Sequence, residues 1–184
     1  MADAVMKTRA SNRNDLSAGY VRSILAYDPS NGLLTWKERT DAAPWWNGKW
    51  AGEPAGSVTN DGYIRITING RKYMAHRLAW LITTGAWPEP EADHKNTNRA
   101  DNRWDNLRQA TEMQNRRNRS IGRNNTTGFK GAFWNKEWRR WSSSITADGK
   151  NHFLGYFDTA EKAHEAYCAA ADRLHGEFAQ HSKK

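Results

Sequence analysis

The sequence contains very little cysteine, since Cys168 is the only thiol among 184 residues. One thiol cannot form a disulfide or a multi-thiolate zinc site within a single chain, which favours a reducing cytoplasm. Long apolar runs are also missing: the longest, residues 78–87, is interrupted by polar residues and is too short to cross a bilayer. Residues 1–14 lack the apolar centre of a signal peptide. We therefore expect a disordered start and a cytoplasmic protein with no membrane partner.

Acidic residues are scarce in the middle of the chain. Residues 95–140 contain twelve lysines and arginines against four acidic residues, and this net charge of +8 equals that of the whole chain. A concentrated basic segment predicts a polyanion such as nucleic acid as its partner. Charge alone does not identify a ligand, so a soluble protein that is merely basic is the alternative at this point.

Local patterns in the first part of the chain predict a mixture of helices and strands. Apolar residues at helical spacing over residues 16–27 predict a helix. Residues 41–56 hold three tryptophans among proline and glycine, and we interpret them as a loop. Residues 63–74 alternate in period two around Asn69-Gly70, which predicts a hairpin with a tight turn. A short helix is expected over residues 75–81.

The last part of the chain has its own pattern. Three short strands are predicted near residues 131–134, 140–147 and 152–157, followed by a helix that begins at Thr159. The predicted buried face of that helix consists of Ala163, Tyr167, Ala170 and Leu174. A three-stranded sheet covered by one helix leaves its other face open.

Asp93, His94 and Asn115 are the residues with the most informative chemistry. Carboxylate and amide oxygens on separate elements are hard ligands that suit Mg²⁺ or Mn²⁺ better than zinc or copper. A neighbouring histidine, with an ordinary pKa of about 6.5, can be neutral at cellular pH and take a proton from water. Neighbours in a strand point to opposite faces, so the strand must end or bend at Asp93-His94 if both are to serve one site. A surface turn is the alternative interpretation of this pair.

Several motifs extend this pattern along the chain. They are His76-Arg77-Leu78-Ala79-Trp80, Asp93-His94, Asp101-Asn102-Arg103, Asp105-Asn106-Leu107-Arg108, Ala110-Thr111 and Gln114-Asn115. In this order and spacing they resemble the HNH homing endonucleases of phages, and the resemblance covers roughly residues 16–118. It implies a ββα-metal fold with one divalent ion, Mg²⁺ or Mn²⁺, in each active site.

The resemblance also implies a role for each matching residue. Asp93 and Asn115 would hold the metal, and His94 would be the general base that activates water. Asn106 would orient or polarise the His94 region, and Arg108 would brace the site or contact phosphate. Arg116 and Arg119 are also expected to contact DNA. His76 and Arg77 form a His-Arg pair that is expected to support the site.

A second resemblance covers the last third of the chain. The motifs include Thr127-Gly128-Phe129-Lys130-Gly131, Leu154-Gly155-Tyr156-Phe157-Asp158-Thr159 and Gly176-Glu177-Phe178-Ala179. They are similar to the Apetala-two-type domain, the ethylene-response-factor DNA-binding fold, whose open sheet face lies in the major groove. The residues then expected to contact DNA are Lys130, Phe133, Asn135, Arg140, Ser142, Ser144, Thr146 and Tyr156. A solvated sheet face without a ligand is the alternative.

The predicted architecture is α+β: a ββα-metal HNH nuclease module with an N-terminal α/β extension, plus a small three-stranded sheet packed on one helix. The predicted parts are a disordered start (1–14), an N-terminal HNH-associated region (15–62), the nuclease module (63–119), a linker (120–126), the Apetala-two-type domain (127–179) and a tail (180–184).

These features predict a metal-dependent DNA endonuclease of the homing type. Because one such active site cuts one strand, we expect a nickase. Its predicted partner is double-stranded DNA, and we expect a monomer without a small-molecule cofactor. Two alternatives stay open: a non-catalytic, sequence-preferring DNA-binding protein that uses the HNH part as a scaffold, and an RNA-binding protein or ribonuclease that uses the basic middle.

Overall fold

The computed structural model describes residues 14–122 and 124–181, and contacts divide the chain into one compact unit that ends at Ala110 and a second that begins at Thr111. Each unit combines helices with antiparallel strands, as expected for the α+β class. The predicted disordered start lies outside the described residues except for Asn14, and so do residues 182–184 of the predicted tail. Within the described ranges, no helix has the length and apolar character needed to span a membrane.

The N-terminal unit alternates helices and short strands. In order they are α1 (Ala18–Ile24), β1 (Leu25–Tyr27), β2 (Leu34–Trp36), α2 (Pro44–Trp50), β3 (Ser57–Val58), β4 (Ile64–Ile68), β5 (Arg71–Met74), α3 (Ala75–Thr84), β6 (Glu91–His94) and β7 (Leu107–Ala110). β1 pairs with β2, β4 lies between β3 and β5, and β6 pairs with β7. α3 packs against both α1 and the β4–β5 hairpin. The core at this junction contains Val21, Ile24, Ile66, Ile68, Leu78 and Leu81.

The β4–β5 hairpin confirms the turn predicted from the sequence. Its two turn residues have positive φ, 50° at Asn69 and 71° at Gly70, which are conformations that asparagine and glycine tolerate best. The alternation directs Ile66 and Ile68 into the core while Thr67 stays exposed. The hairpin therefore supplies the apolar surface on which α3 rests.

The prediction of a loop over residues 41–56 is wrong in part, because α2 forms within it. Pro44 occupies the first turn of the helix, where its missing N–H costs no hydrogen bond. Asn47 exchanges two hydrogen bonds with the backbone of Arg39, accepting from its N–H at 3.0 Å and donating to its carbonyl at 2.8 Å. Trp46 packs edge-on against Trp36, with ring centroids 5.4 Å apart. Contacts outside the segment thus stabilise a helix that its glycine and tryptophans do not favour.

The C-terminal unit is a three-stranded sheet covered by one long helix. Its elements are α4 (Glu112–Arg117), β8 (Ala132–Asn135), β9 (Arg140–Ala147), β10 (Lys150–Phe157) and α5 (Ala160–His175), with β9 central in the sheet. On β9 the side chains of Ser143, Ile145 and Ala147 are buried, and they alternate with Ser142, Ser144 and Thr146, which the sequence assigned to the open face. On α5 the predicted face is buried at Ala163, Tyr167 and Ala170, whereas Leu174 is only partly buried.

Helix α4 groups with the C-terminal unit, although the sequence assigned it to the nuclease module. The ammonium group of Lys130 donates to the carbonyls of Arg117 at 3.1 Å and Arg119 at 2.6 Å, at the end of that helix. Arg117 also pairs with Asp148 at 3.0 Å. These bonds attach the chain after α4 to the sheet.

Gly131 lies so close to Tyr167 that it accepts no side chain. Its φ is +76°, and a Cβ built on it would overlap the Tyr167 ring and lie 2.7 Å from the Tyr167 Cβ. We expect Gly131→Ala to lower the free energy of unfolding of the C-terminal unit by about 3 kcal/mol, because overpacking adds to backbone strain. Gly128→Ala is the matched control, since φ there is +78° with no atom within 4 Å of the built Cβ. Equal losses in urea denaturation of the two variants would contradict the steric explanation.

Candidate active site

The β6–β7 hairpin carries the Asp-His pair at its end. Asp93 lies opposite Arg108 and His94 lies opposite Leu107 in the antiparallel register. The strand ends at His94, whose carbonyl accepts from the N–H of Thr97 at 3.0 Å, and Thr97 has a φ of +63°. The two adjacent side chains therefore stand where regular strand geometry stops.

Asn106 holds the loop that follows His94. Its amide donates to the carbonyl of Asp101 at 2.7 Å and accepts from the N–H of Asn96 at 3.0 Å. Its own carbonyl accepts from the N–H of Lys95 at 2.8 Å. Asn106 thus fixes the backbone on both sides of the loop, and this is the contact through which it can orient the His94 region.

His94 is buried in a pocket of rings and amides. Its Nε2 lies 3.0 Å from Oδ1 of Asn102. The ring of His76 packs edge-on with centroids 4.8 Å apart, and Tyr63 lies at 6.0 Å. Burial lowers the pKa of His94 below its ordinary value, although the bond to Asn102 and the charge of Asp93 oppose that shift. The imidazole is therefore neutral at cellular pH, the state in which it can accept a proton.

Arg108 braces Asp93. Its Nε and Nη2 donate to Oδ2 of Asp93 at 3.2 Å and 3.1 Å. The side chains are only 8% and 15% exposed, so this ion pair is largely shielded from solvent. These hydrogen bonds to Asp93 are the contacts that the bracing role requires, and contact of Arg108 with phosphate stays a prediction.

His76 and Arg77 lie beside the site rather than on the surface. His76 contacts both His94 and Tyr63, whose ring centroid is 5.4 Å away. Burial is the main cause that holds the pKa of His76 well below its ordinary value, and Arg77 and the protonated form of His94 act in the same direction. Arg77 donates to Oδ1 of Asn14 at 2.7 Å and lies over the ring of Trp87. His76 thus contacts the proposed base directly, whereas the contacts of Arg77 lead to Asn14 and Trp87, and a supporting role for either residue stays a prediction.

The two buried histidines make stability depend on pH. Both have a pKa lowered by folding, so the unfolded chain binds more protons below the ordinary histidine pKa. We expect the free energy of unfolding of the N-terminal unit to fall as pH decreases from about 6.5, by about 1.4 kcal/mol per unit of pKa shift. Urea denaturation at several pH values measures this loss. His76→Gln should flatten the dependence, and an unchanged slope would contradict the assignment.

The proposed second metal ligand, Asn115, lies on α4 in the C-terminal unit. The helix begins with the predicted capping box, in which Thr111 and Gln114 exchange side-chain and backbone hydrogen bonds. Arg116 pairs with Glu112 at 2.6 Å, and the carbonyl of Arg119 accepts from Lys130. The sharing of one ion by Asp93 and Asn115 stays a prediction. The donor set suits a hard cation, because a carboxylate and an amide oxygen leave further positions for water and phosphate.

The predicted DNA-contacting residues of the sheet lie on the face away from α5. Ser142 stands between Phe133 and Tyr156 in the strand register, and Asn135 lies opposite Arg140. Arg140 pairs with Asp158 at 2.7 Å. A cavity of about 500 Å³ is lined by Arg116, Phe133, Ser144 and Thr146 among the predicted residues, and also by Tyr167 and His175 of α5. The structure thus collects these candidates, while their contact with DNA stays a prediction.

Lys130 differs from the other candidates of this unit. Its ammonium group is half-buried and bonded to two carbonyls, and burial lowers its pKa to about 8. A contact with DNA would require these bonds to break.

Sequence reasoning missed several residues around the site. Asn102 is 1% exposed and bonds to His94, and the Tyr27 hydroxyl donates to the carbonyl of Asn102 at 2.7 Å. The guanidinium of Arg99 lies over the Tyr63 ring, 4.9 Å from its centroid. In the sheet, the exposed rings of Phe153 and Trp138 contact Tyr156. The Asp101-Asn102-Arg103 motif was the only signal for Asn102, and spacing did not indicate its burial.

Comparison with known proteins identifies the class to which this site belongs. Residues 73–117 match the family model described as HNH endonuclease. Protein 3.8 of Escherichia phage T7 is 34% identical over 106 residues, which cover 57% of this chain and 87% of that protein. The uncharacterized HNH endonuclease L560 of Acanthamoeba polyphaga mimivirus is 33% identical over 114 residues, 61% of this chain and 58% of that protein. No solved structure matches. Residues 73–117 thus form a segment of the HNH endonuclease family, and the Apetala-two-type resemblance stays a prediction.

Proposed function

We propose that the protein is a metal-dependent DNA endonuclease that nicks one strand of double-stranded DNA. The observation that carries this proposal is the end of β6, where a buried, neutral imidazole adjoins a carboxylate braced by arginine. Neutral His94 is suited to accept a proton, and Asp93 is suited to bind a hard cation. The match of residues 73–117 to the HNH endonuclease family model supports the same class of reaction.

The proposed reaction is hydrolysis of a phosphodiester. His94 takes a proton from a water molecule while the water oxygen forms a bond to phosphorus and the bond to the leaving 3′ oxygen breaks. That oxygen then takes a proton from solvent. A divalent ion held by Asp93 and Asn115 would supply positive charge that stabilises the phosphate and the leaving oxygen. Asn106 keeps the loop after His94 in place, and Arg108 orients Asp93.

The C-terminal unit would give this enzyme a second contact with DNA. The open face of its sheet presents hydroxyl, amide and aromatic groups from the three strands. Side chains of these kinds contact base edges and the backbone in DNA grooves. We propose that this face biases the enzyme toward particular sequences, as in a homing-type nickase.

Plasmid relaxation tests the proposed reaction. Supercoiled plasmid incubated with the protein and Mg²⁺ or Mn²⁺ should become nicked, and excess chelator should stop the reaction. Run-off sequencing of the nicked product then maps the cut position. Duplex binding without relaxation in either metal would instead support the non-catalytic DNA-binding alternative, and preferential cleavage of RNA would support a ribonuclease.

A further inference from the structure

Asn102 is a buried amide that faces the imidazole of His94. Its Oδ1 lies 3.0 Å from Nε2, and the side chain is almost completely shielded from solvent. A neutral imidazole carries its proton on one nitrogen only, and the partner of the other nitrogen determines which one. An acceptor opposite Nε2 selects the tautomer in which Nε2 is protonated and Nδ1 keeps its lone pair.

The N-terminal region fixes the position of Asn102. The hydroxyl of Tyr27, at the end of β1, donates to the Asn102 carbonyl at 2.7 Å. Gly32 packs so closely on the Asn102 backbone that a Cβ there would lie 2.5 Å from the Asn102 carbonyl carbon. The N–H of Trp104 donates to the carbonyl of Pro29 at 3.0 Å. Three contacts from residues 27–32 thus hold the segment that carries this amide.

The other end of the Asn102 amide argues against a purely packing role. Its Nδ2 is buried and has no hydrogen-bond partner among the residues that the structure describes. A buried donor left unpaired destabilises the folded state, and an apolar residue of similar shape would avoid that cost. The amide is therefore better explained by what its oxygen does for His94 than by its contribution to stability.

We propose that Asn102 is a positioning residue that accepts a hydrogen bond from Nε2 of His94 and so reserves the lone pair of Nδ1 for the attacking water. The role in water activation rests on the proposed nuclease function, whereas the tautomer itself does not. The segment from Tyr27 to Gly32 serves as the brace of this amide. Part of the N-terminal region thereby belongs to the catalytic apparatus, although it carries none of the reacting groups.

Nitrogen-15 NMR of the histidine rings tests the tautomer directly. In the intact protein at about pH 8, above the ordinary histidine pKa, His94 should show a protonated Nε2 and an unprotonated Nδ1. A spectrum of His94→Gln assigns the signal among the six histidines. Asn102→Ala should give a mixture of tautomers, and Asn102→Asp, which retains an acceptor, should restore the single form.

Milder and matched variants keep the test informative if Asn102→Ala fails to fold. Tyr27→Phe removes only the hydroxyl that holds the Asn102 carbonyl, so it should shift the His94 signals in the same direction by less. Asn98→Ala is the control, because Asn98 lies in the same loop but its side chain accepts from the N–H of Ala100. In nicking assays, Asn102→Ala should lower kcat by about tenfold to 100-fold with little change in DNA affinity.

The outcomes separate the two proposals. A protonated Nδ1 in the wild-type protein, or the same single tautomer in wild type and Asn102→Ala, would overturn the role of Asn102. The expected tautomers without any nicking by the wild-type protein would uphold the structural assignment and overturn the nuclease function alone.

Discussion

His94→Ala is expected to reduce the rate of plasmid nicking by about 100-fold to 10,000-fold, the range that a general base contributes. The expectation follows from the imidazole's location at the end of β6, where burial lowers its pKa and keeps it neutral. Alanine leaves Asp93 in its register with Arg108, so the loss should fall on the chemical step. Single-turnover nicking of supercoiled plasmid, with protein in excess, measures it.

The control for this experiment is His152→Ala. His152 is exposed on β10 in the C-terminal unit, so its loss should leave the nicking rate unchanged. DNA affinity should be similar in both variants, because a neutral imidazole contributes little to phosphate binding. Nicking by His94→Ala at the wild-type rate would exclude His94 as the base, and a parallel loss in His152→Ala would point to a contaminating or misfolded preparation.

The features that the sequence predicted well depend on neighbouring residues. Asn69-Gly70 permits positive φ at two successive positions, which determines the turn almost without regard to the rest of the chain. The alternation of β9 likewise follows from its two faces, one covered by α5 and one open. The strand was expected to end or bend at Asp93-His94 if both side chains serve one site, and a backbone bond from Thr97 to His94 follows its last residue.

The features that the sequence did not predict depend on distant contacts. The position of Asn102 depends on Tyr27, 75 positions earlier in the chain, whose hydroxyl donates to its carbonyl. Helix α2 forms where Trp46 packs on Trp36 and Asn47 bonds to Arg39. The pairing of His76 with His94 joins α3 to β6. Local periodicity contains no information about such pairs, so a site built from several elements is only partly visible in sequence.

Arg108→Met is expected to lower the free energy of unfolding of the N-terminal unit by about 3 kcal/mol, because it removes the guanidinium that compensates the largely buried charge of Asp93. Asp93→Asn should cost a comparable amount, since it removes the negative charge of the same ion pair. The double variant should be less destabilised than the sum of the two, by about 2 kcal/mol, as expected for residues in direct contact. Urea denaturation followed by tryptophan fluorescence measures the free energy of unfolding of the wild-type protein, the two single variants and the double variant.

The same variants connect stability to the proposed metal. Without Arg108, the carboxylate of Asp93 has a stronger attraction for a divalent cation, so Mn²⁺ should raise the unfolding midpoint of Arg108→Met more than that of the wild-type protein. Asp93→Asn, which lacks the charged ligand, should show the smallest rise in unfolding midpoint when Mn²⁺ is added. If the losses in free energy of unfolding of the two single variants add up to the loss of the double variant, Arg108 and Asp93 do not stabilise each other. An equal response of all variants to Mn²⁺ would place the metal elsewhere than at Asp93.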